Sequence, residues 1–156
     1  HEDGDFSYKK FEDRYNGDLA NGLGNLIARV AVPGEKLSPL KFDFKNDIEI
    51  EVDEVCDGVF KKYEKHFEGI RLNEALTDIW EVISFADRYI NTSKPWQLEG
   101  EALKRVILNS SYLISAVTNL LEPFLPETAG KIREQVSIVD SVIKIKKSGN
   151  LFPRIT

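Results

Sequence analysis

The stretch Asn91-Thr92-Ser93-Lys94-Pro95-Trp96 decides how this chain folds, because it separates two long segments with helical patterning. Upstream, Leu72, Leu76, Ile79, Ile83, Ala86 and Ile90 recur at helical spacing and predict a helix over about 72–90 with those side chains inward. Downstream, Leu103, Val106, Ile107, Leu113, Val117, Leu120 and Leu121 predict the strongest helix of the chain, over about 99–122. The residue before a proline is pushed out of the α region, so Lys94-Pro95 must end the first helix. A connection this short makes the two helices antiparallel neighbours. Trp96 then lies at a bundle rim, where it can be a hydrophobic plug or a stacking platform for an unpaired base. This stretch alone favours the plug, since aromatics usually serve packing.

Working outward, Ser7 is placed to cap a first helix carrying Phe11, Tyr15, Leu19, Leu23, Ile27 and Val30 on one stripe and stopping near Pro33-Gly34. Residues 33–47 read as a loop, from Pro33, Gly34 and Pro39. A second helix is predicted from about Ile50 to Phe67, burying Val52, Val55, Val59, Phe60 and Tyr63, with Gly69 as punctuation. Pro123 closes the strongest helix, and Pro126 opens a short fifth one ending near Gln135. From Val136 the pattern breaks into short apolar runs, which read as irregular with room for one short strand. The expected architecture is therefore all-α: an antiparallel bundle of about five helices over 1–136, with a tail over 137–156 packing on the bundle or leaving it.

At 156 residues and 42% hydrophobic, the chain has enough apolar material for a core. No run approaches the roughly 20 apolar residues that span a bilayer, and the N-terminus lacks a signal-peptide pattern, so no membrane partner is expected. The single cysteine, Cys56, excludes an intrachain disulfide and a cysteine-based zinc site, which fits a reducing, cytoplasmic setting. His66 lacks metal-ligand company and reads as solvated helix surface. Met is absent and the chain opens His-Glu-Asp, which reads as a piece of something longer. The formal charge of −5 argues against broad coating of duplex phosphates, hence against DNA. Residues 1–68 hold 10 basic and 16 acidic side chains and the remainder 11 and 10, so any nucleic-acid contact must be confined and largely non-coulombic.

No catalytic constellation emerges: the chain has neither a glycine-rich phosphate loop nor a serine or cysteine nucleophile with a partner base. The acidic pairs Asp53/Glu54 and Glu49/Glu51 read as solvated surface, as catalytic carboxylates need shelter. Lys144, Lys146 and Lys147 form a modest basic cluster, more simply a solvated tail than a phosphate contact. Asp18, Gly22, Asn25 and Arg29 make a row beside the first helix's apolar stripe. A glycine costs about 1 kcal/mol relative to Ala inside a helix, so Gly22 and Gly24 hint at a close approach to the backbone. Asn25 offers a donor and an acceptor and Arg29 a planar fork, although such a row is most often plain polar surface.

The segment from Phe6-Ser7 through Arg14-Tyr15-Asn16-Gly17-Asp18-Leu19-Ala20-Asn21-Gly22-Leu23-Gly24-Asn25-Leu26 resembles the opening helix of the anticodon-binding domain of methionyl-tRNA synthetases. Asn91 to Trp96 is similar to that family's inter-helix anticodon segment, Leu121 to Ala129 to its next helix junction, and Leu151-Phe152-Pro153-Arg154-Ile155 to the motif closing the domain. The opening helix alone also admits leucyl, isoleucyl or valyl relatives; Lys94-Pro95-Trp96 together with Leu151 to Ile155 singles out the methionine enzyme. The resemblance implies that Asn25, Arg29 and Trp96, with Pro95 beneath the tryptophan, read the CAU anticodon of methionine tRNA. It implies that Trp96 stacks on the first anticodon base, and that the partners are the tRNA(Met) anticodon loop and a catalytic domain of the same polypeptide. ATP with Mg, and a structural Zn, would belong to that catalytic part. Its signatures His-Ile-Gly-His and Lys-Met-Ser-Lys-Ser do not occur here, so this chain alone should carry no cofactor and form no methionyl-adenylate. A helical protein-interaction scaffold is the contrasting reading, with Trp96 buried and the Asp18–Arg29 row meeting a protein.

Overall fold

The computed structural model describes residues 9–10, 13 and 22–149. The Ser7 cap, the stripe positions Phe11, Tyr15 and Leu19, Asp18 of the polar row and Leu151 to Ile155 lie outside the described residues. Within them, helices dominate: α1 is Gly24–Gly34, α2 the single turn Phe44–Asp47, α3 Ile50–Glu68, α4 Leu72–Ser93, α5 Gly100–Leu121 and α6 Pro126–Gln135. The predicted helix limits hold to within three residues at each described end. Gly69 follows the last residue of α3 with an ordinary φ of −78°, the left-handed position falling on Ile70 at φ 57°, and Pro126 opens α6 in the first turn that proline favours.

The centre of the fold is α5. Leu108, Leu113, Ile114 and Leu121 are all buried, and so are Asn109, Ser110, Ser111 and Thr118, so this helix has almost no solvent face through its middle. It packs against α1, α2, α3, α4, α6 and the segment Val136–Val139. Around it, Leu23, Leu26, Ile27 and Val30 of α1, Val52, Cys56, Val59 and Tyr63 of α3, and Leu76, Ile79, Ile83, Ala86 and Ile90 of α4 complete the core. Each of these sets repeats at three- and four-residue spacing, which is why the amphipathic reading of α1, α3 and α4 succeeds.

Residues 136–145 differ from the irregular tail read in the sequence. Val136–Val139 (β2) and Val142–Ile145 (β3) pair antiparallel, with Val136 opposite Ile145 and Val139 opposite Val142. Leu40–Lys41 (β1), inside the stretch read as loop, adds a third strand in the order β1-β3-β2. Asp140 and Ser141 turn the hairpin, both with positive φ, 51° and 60°. A two-residue loop with both positions left-handed is the favoured hairpin connection, but its usual sequence signal is Asn-Gly or Asp-Gly. Val136, Ile143 and Ile145 are buried, so the sheet closes one side of the bundle.

Gly34 sits at that closure. A Cβ there would lie 2.8 Å from Ile145 Cδ1 and 3.2 Å from Ile107 Cγ2, so the end of α1 meets the sheet and α5 closely enough that a side chain would have to push the ends of those isoleucines aside. Gly22, by contrast, would meet Ile83 Cγ2 at 3.8 Å, an ordinary contact, so among the described residues no neighbouring helix needs its missing side chain.

Three further expectations are corrected. Phe60, assigned to the core, is 52% exposed; it stands on the lip of a groove of about 380 Å³ shared with Phe42, Tyr112, Leu120 and Ile138. His66 is not free surface, since its Nδ1 lies 2.6 Å from Oδ2 of the buried Asp78 and ties α3 to α4. The acids read as solvated are partly anchors. Glu49 Oε1 accepts from Tyr89 Oη at 2.8 Å and from Arg105 Nε at 3.1 Å, and Asp53 Oδ1 accepts from Tyr112 Oη at 3.2 Å.

Asn109, wholly buried on α5, satisfies the α2–α3 junction. Its Oδ1 accepts from the Glu49 N–H at 2.7 Å, and its Nδ2 donates to the carbonyls of Asp47 at 3.1 Å and Arg105 at 2.9 Å. Removing one partner of a buried hydrogen bond strands the other. Asn109→Ala should therefore cost about 1–3 kcal/mol in urea unfolding, with an unchanged slope.

Alkaline pH should act on the same side of the bundle. Burial, with the Asp53 charge added, pushes the Cys56 thiol from 9.0 up to about 12. Burial likewise raises the hydroxyls of Tyr89, Tyr112 and Tyr63 above 10.0. The folded chain keeps these protons where the unfolded chain releases them, so their stabilisation is complete below pH 9 and is lost as pH rises. The urea midpoint should fall steadily above that point, and Tyr112→Phe should shallow the fall.

Candidate nucleic-acid interface

The break at Lys94-Pro95 builds the site. Lys94 takes the left-handed conformation, φ 49° and ψ 65°, and its N–H still bonds to the Ile90 carbonyl at 2.9 Å. Pro95–Gln97 follows as one 3-10 turn, closed by Gln97 N to Lys94 O at 2.9 Å and Leu98 N to Pro95 O at 3.1 Å. The turn packs against α1 and α5. Pro95 is the buried member, Leu98 is half-buried, and Trp96 is 54% exposed. The plug at this end of the bundle is the proline, and the tryptophan projects beyond it.

Of the residues singled out in the sequence, the structure brings Arg29 to Trp96 and Pro95. The guanidinium carbon of Arg29 lies 5.9 Å from the centre of the Trp96 ring, within the range of a cation–π contact. Arg29 Nη1 donates to Asn91 Oδ1 at 2.7 Å and stands 3.8 Å from Asp87 Oδ1. Asn91 Nδ2 in turn donates to Asp87 Oδ2 at 3.2 Å, one helical turn back on α4. The Arg29 fork is thus held between α1 and α4 with one edge engaged, which leaves other N–H groups for a ligand. Asn25 is exposed one turn earlier on α1, beside the buried Leu26. Lys144, Lys146 and Lys147 are all exposed on and after β3.

Sequence reading missed the part played by Asn91 and Asp87. Their i, i+4 spacing is a helix-surface pair, and Asn91 opens the very stretch that ends α4, yet neither signal tells which cation they face. Chemically, the end of the bundle offers one exposed indole face and one oriented guanidinium, with the Asn25 carboxamide exposed one turn back along α1. Those are groups for stacking on a planar ring and for hydrogen bonding along its edge. Among the described residues no group of three or more His, Cys, Asp or Glu could hold a metal ion, and no helix is long and apolar enough to cross a membrane.

Residues 52–148 match the family described as the anticodon-binding domain of tRNA ligase, a span that includes Trp96 and begins after Asn25 and Arg29. The methionine–tRNA ligase of Bacillus subtilis is 33% identical to this chain, over 98% of the chain and 27% of that protein. The methionine–tRNA ligase of Caldanaerobacter subterraneus subsp. tengcongensis is 30% identical over 98% and 27%. The chain thus spans about a quarter of the length of these curated relatives. A free-state crystal structure of Mycobacterium tuberculosis methionyl-tRNA synthetase superposes with a TM-score of 0.75 at 24% identity, covering 97% of this chain and 35% of that one. A structure of the same enzyme bound by methionyl-adenylate gives 0.77 at 21%, covering 95% and 34%. With the family model matching residues 52–148, the chain belongs to the anticodon-binding domain family of tRNA ligases.

Proposed function

We propose that this chain is the anticodon-reading part of a methionine–tRNA ligase and that Asn25, Arg29 and Trp96 contact the CAU anticodon of methionine tRNA, with Pro95 seating the tryptophan. The observation that carries the reading is the Trp96 ring, 54% exposed on a buried proline, with the Arg29 guanidinium 5.9 Å from its centre. An anticodon base stacks on the open indole face, and its pairing edge is met by the Arg29 fork and the Asn25 carboxamide. Such recognition draws on ring faces and hydrogen bonds more than on net charge, which suits a chain of formal charge −5. The whole ligase joins methionine to its tRNA with ATP through methionyl-adenylate. That chemistry, with its Mg and any structural Zn, belongs to the rest of the polypeptide, whose catalytic domain is the second partner.

Stacking and packing roles for Trp96 predict opposite outcomes in one variant. Trp96→Ala should weaken binding of a CAU anticodon stem-loop by about 1–3 kcal/mol, the usual worth of a base–aromatic stack. Its unfolding midpoint should hardly move. A core tryptophan would instead take about 3–5 kcal/mol of folding stability with it. Normal binding with early melting would return Trp96 to a packing role.

Arg29→Ala should also weaken the stem-loop by about 1–3 kcal/mol, the range for a bidentate base contact. Its bonds to Asn91 and Asp87 are partly solvated, so thermal unfolding should change little. A collapse in stability would mark Arg29 as a structural strut between α1 and α4.

A further inference from the structure

The anticodon site leaves the lysines of the sheet unused. In β3 the buried Ile143 and Ile145 alternate with the exposed Lys144. The Lys146 N–H bonds to the Gln135 carbonyl at 2.7 Å, which carries the ladder one residue further and puts the exposed Lys146 on the outer face with Lys144. Lys41 of β1, also exposed, stands opposite Val142 and so shares that face. Two more lysines border it. The Lys147 N–H donates to a Glu35 carboxylate oxygen, which pins the end of β3 to the 3-10 turn Glu35–Leu37 and brings the exposed Lys36 alongside.

Segments 35–41 and 136–147 hold these five lysines against two acids, Glu35 and Asp140, a local charge of +3 in a chain of −5. Among the described residues none of the five side chains makes an ion pair. Gathered like charges repel, so the fold gains nothing from the arrangement. Guarding a sheet edge is a common use of lysine, but β3 is the middle strand in the order β1-β3-β2. Lys144 and Lys146 protect no edge.

We propose that this lysine face grips the backbone phosphates of the anticodon stem, a second RNA contact that rests on the anticodon-reading assignment. Two observations select RNA. The first is continuity with the anticodon site. Glu35 keeps helical angles, φ −56° and ψ −37°, so the turn after α1 extends its faces, and Lys36 falls seven residues, or two turns, beyond Arg29 on the same side. At 1.5 Å per residue that is about 10 Å, so the surface that begins at Asn25 and Arg29 runs directly into the lysines. The second is composition. Ser137, Val139 and Val142 lie between the lysines on the outer face, and no ring does. Protein interfaces are enriched in aromatics and depleted in lysine, whereas lysine is a usual partner of phosphate. A face of this kind holds RNA without reading its sequence.

The test titrates Lys144→Gln and Lys146→Gln with the CAU stem-loop over a range of salt. Each variant should bind roughly fivefold more weakly near 0.1 M salt, with the slope of log Kd against log salt shallower by about 0.7–0.9, the share of one phosphate contact. The loss should be equal for CAU, GAU, CAA and AAC loops, because phosphates carry no sequence. A loop-only oligonucleotide bearing CAU should bind both variants as it binds the unaltered chain. Unfolding midpoints should stay put, since both side chains are exposed and unpaired. Lys65→Gln, exposed near the end of α3 and away from the Trp96 turn, removes the same charge elsewhere and should leave the slope unchanged. A slope unmoved by both sheet variants, or moved as far by Lys65→Gln, would overturn the proposal, and so would a loss confined to one anticodon. If the unaltered chain shows no preference for CAU, the anticodon assignment falls, while a slope that still depends on Lys144 and Lys146 upholds the phosphate contact.

Discussion

The burial of Pro95 is the constraint on which the working end of this molecule depends. Proline cannot continue α4, and the following 3-10 turn packs its ring inward against α1 and α5. With the proline filling the end of the bundle, the next residue has to project from it. Trp96 is exposed for that reason, not because the core lacks room for aromatics. The same turn lies against α1, which brings Arg29 to the indole, and the end of α4 supplies Asn91 and Asp87 to hold the guanidinium in place. Arg29 and Asn91, 62 residues apart in sequence, meet at the end that one proline closes.

Behind that end, α5 acts as a common wall. It is buried through most of its length and carries polar side chains into the core, of which Asn109 is fully satisfied by backbone groups of the α2–α3 junction. Buried polar groups that find partners add directionality to an otherwise apolar interior. The outer charges extend this bracing, since Glu49 takes hydrogen bonds from Tyr89 on α4 and Arg105 on α5. The position of the Trp96 turn is thus inherited from a rigid set of helices and not from the turn alone.

Much of this was legible in the sequence because prolines, glycines and apolar periodicity act locally. Pro95, Pro123 and Pro126 mark the α4, α5 and α6 limits, and the stripes of α1, α3 and α4 name most core residues. Asn25, Arg29, Pro95 and Trp96 were also reachable, and the structure brings the last three together. What escaped depends on partners far along the chain. The hairpin at 136–145 turns through Asp140-Ser141, whose left-handed pair is no recognised turn signal, and β1 is stabilised by pairing a hundred residues away. Glu49, Asp53 and His66 look solvated until Tyr89, Tyr112 and Asp78 are seen facing them. Whether Trp96 was plug or platform could not be settled from the stretch itself, because Pro95 was able to take the buried place only in a three-helix context.

The central claim is that an exposed indole and its guanidinium neighbour read one anticodon. Titrating the unaltered chain with stem-loops bearing CAU, GAU, CAA and AAC, followed by quenching of tryptophan fluorescence in a Trp80→Phe background, tests it most directly. The account predicts saturable quenching of Trp96 with CAU bound more tightly than each of the others. Equal affinity for all four loops, or binding without any change at Trp96, would contradict it.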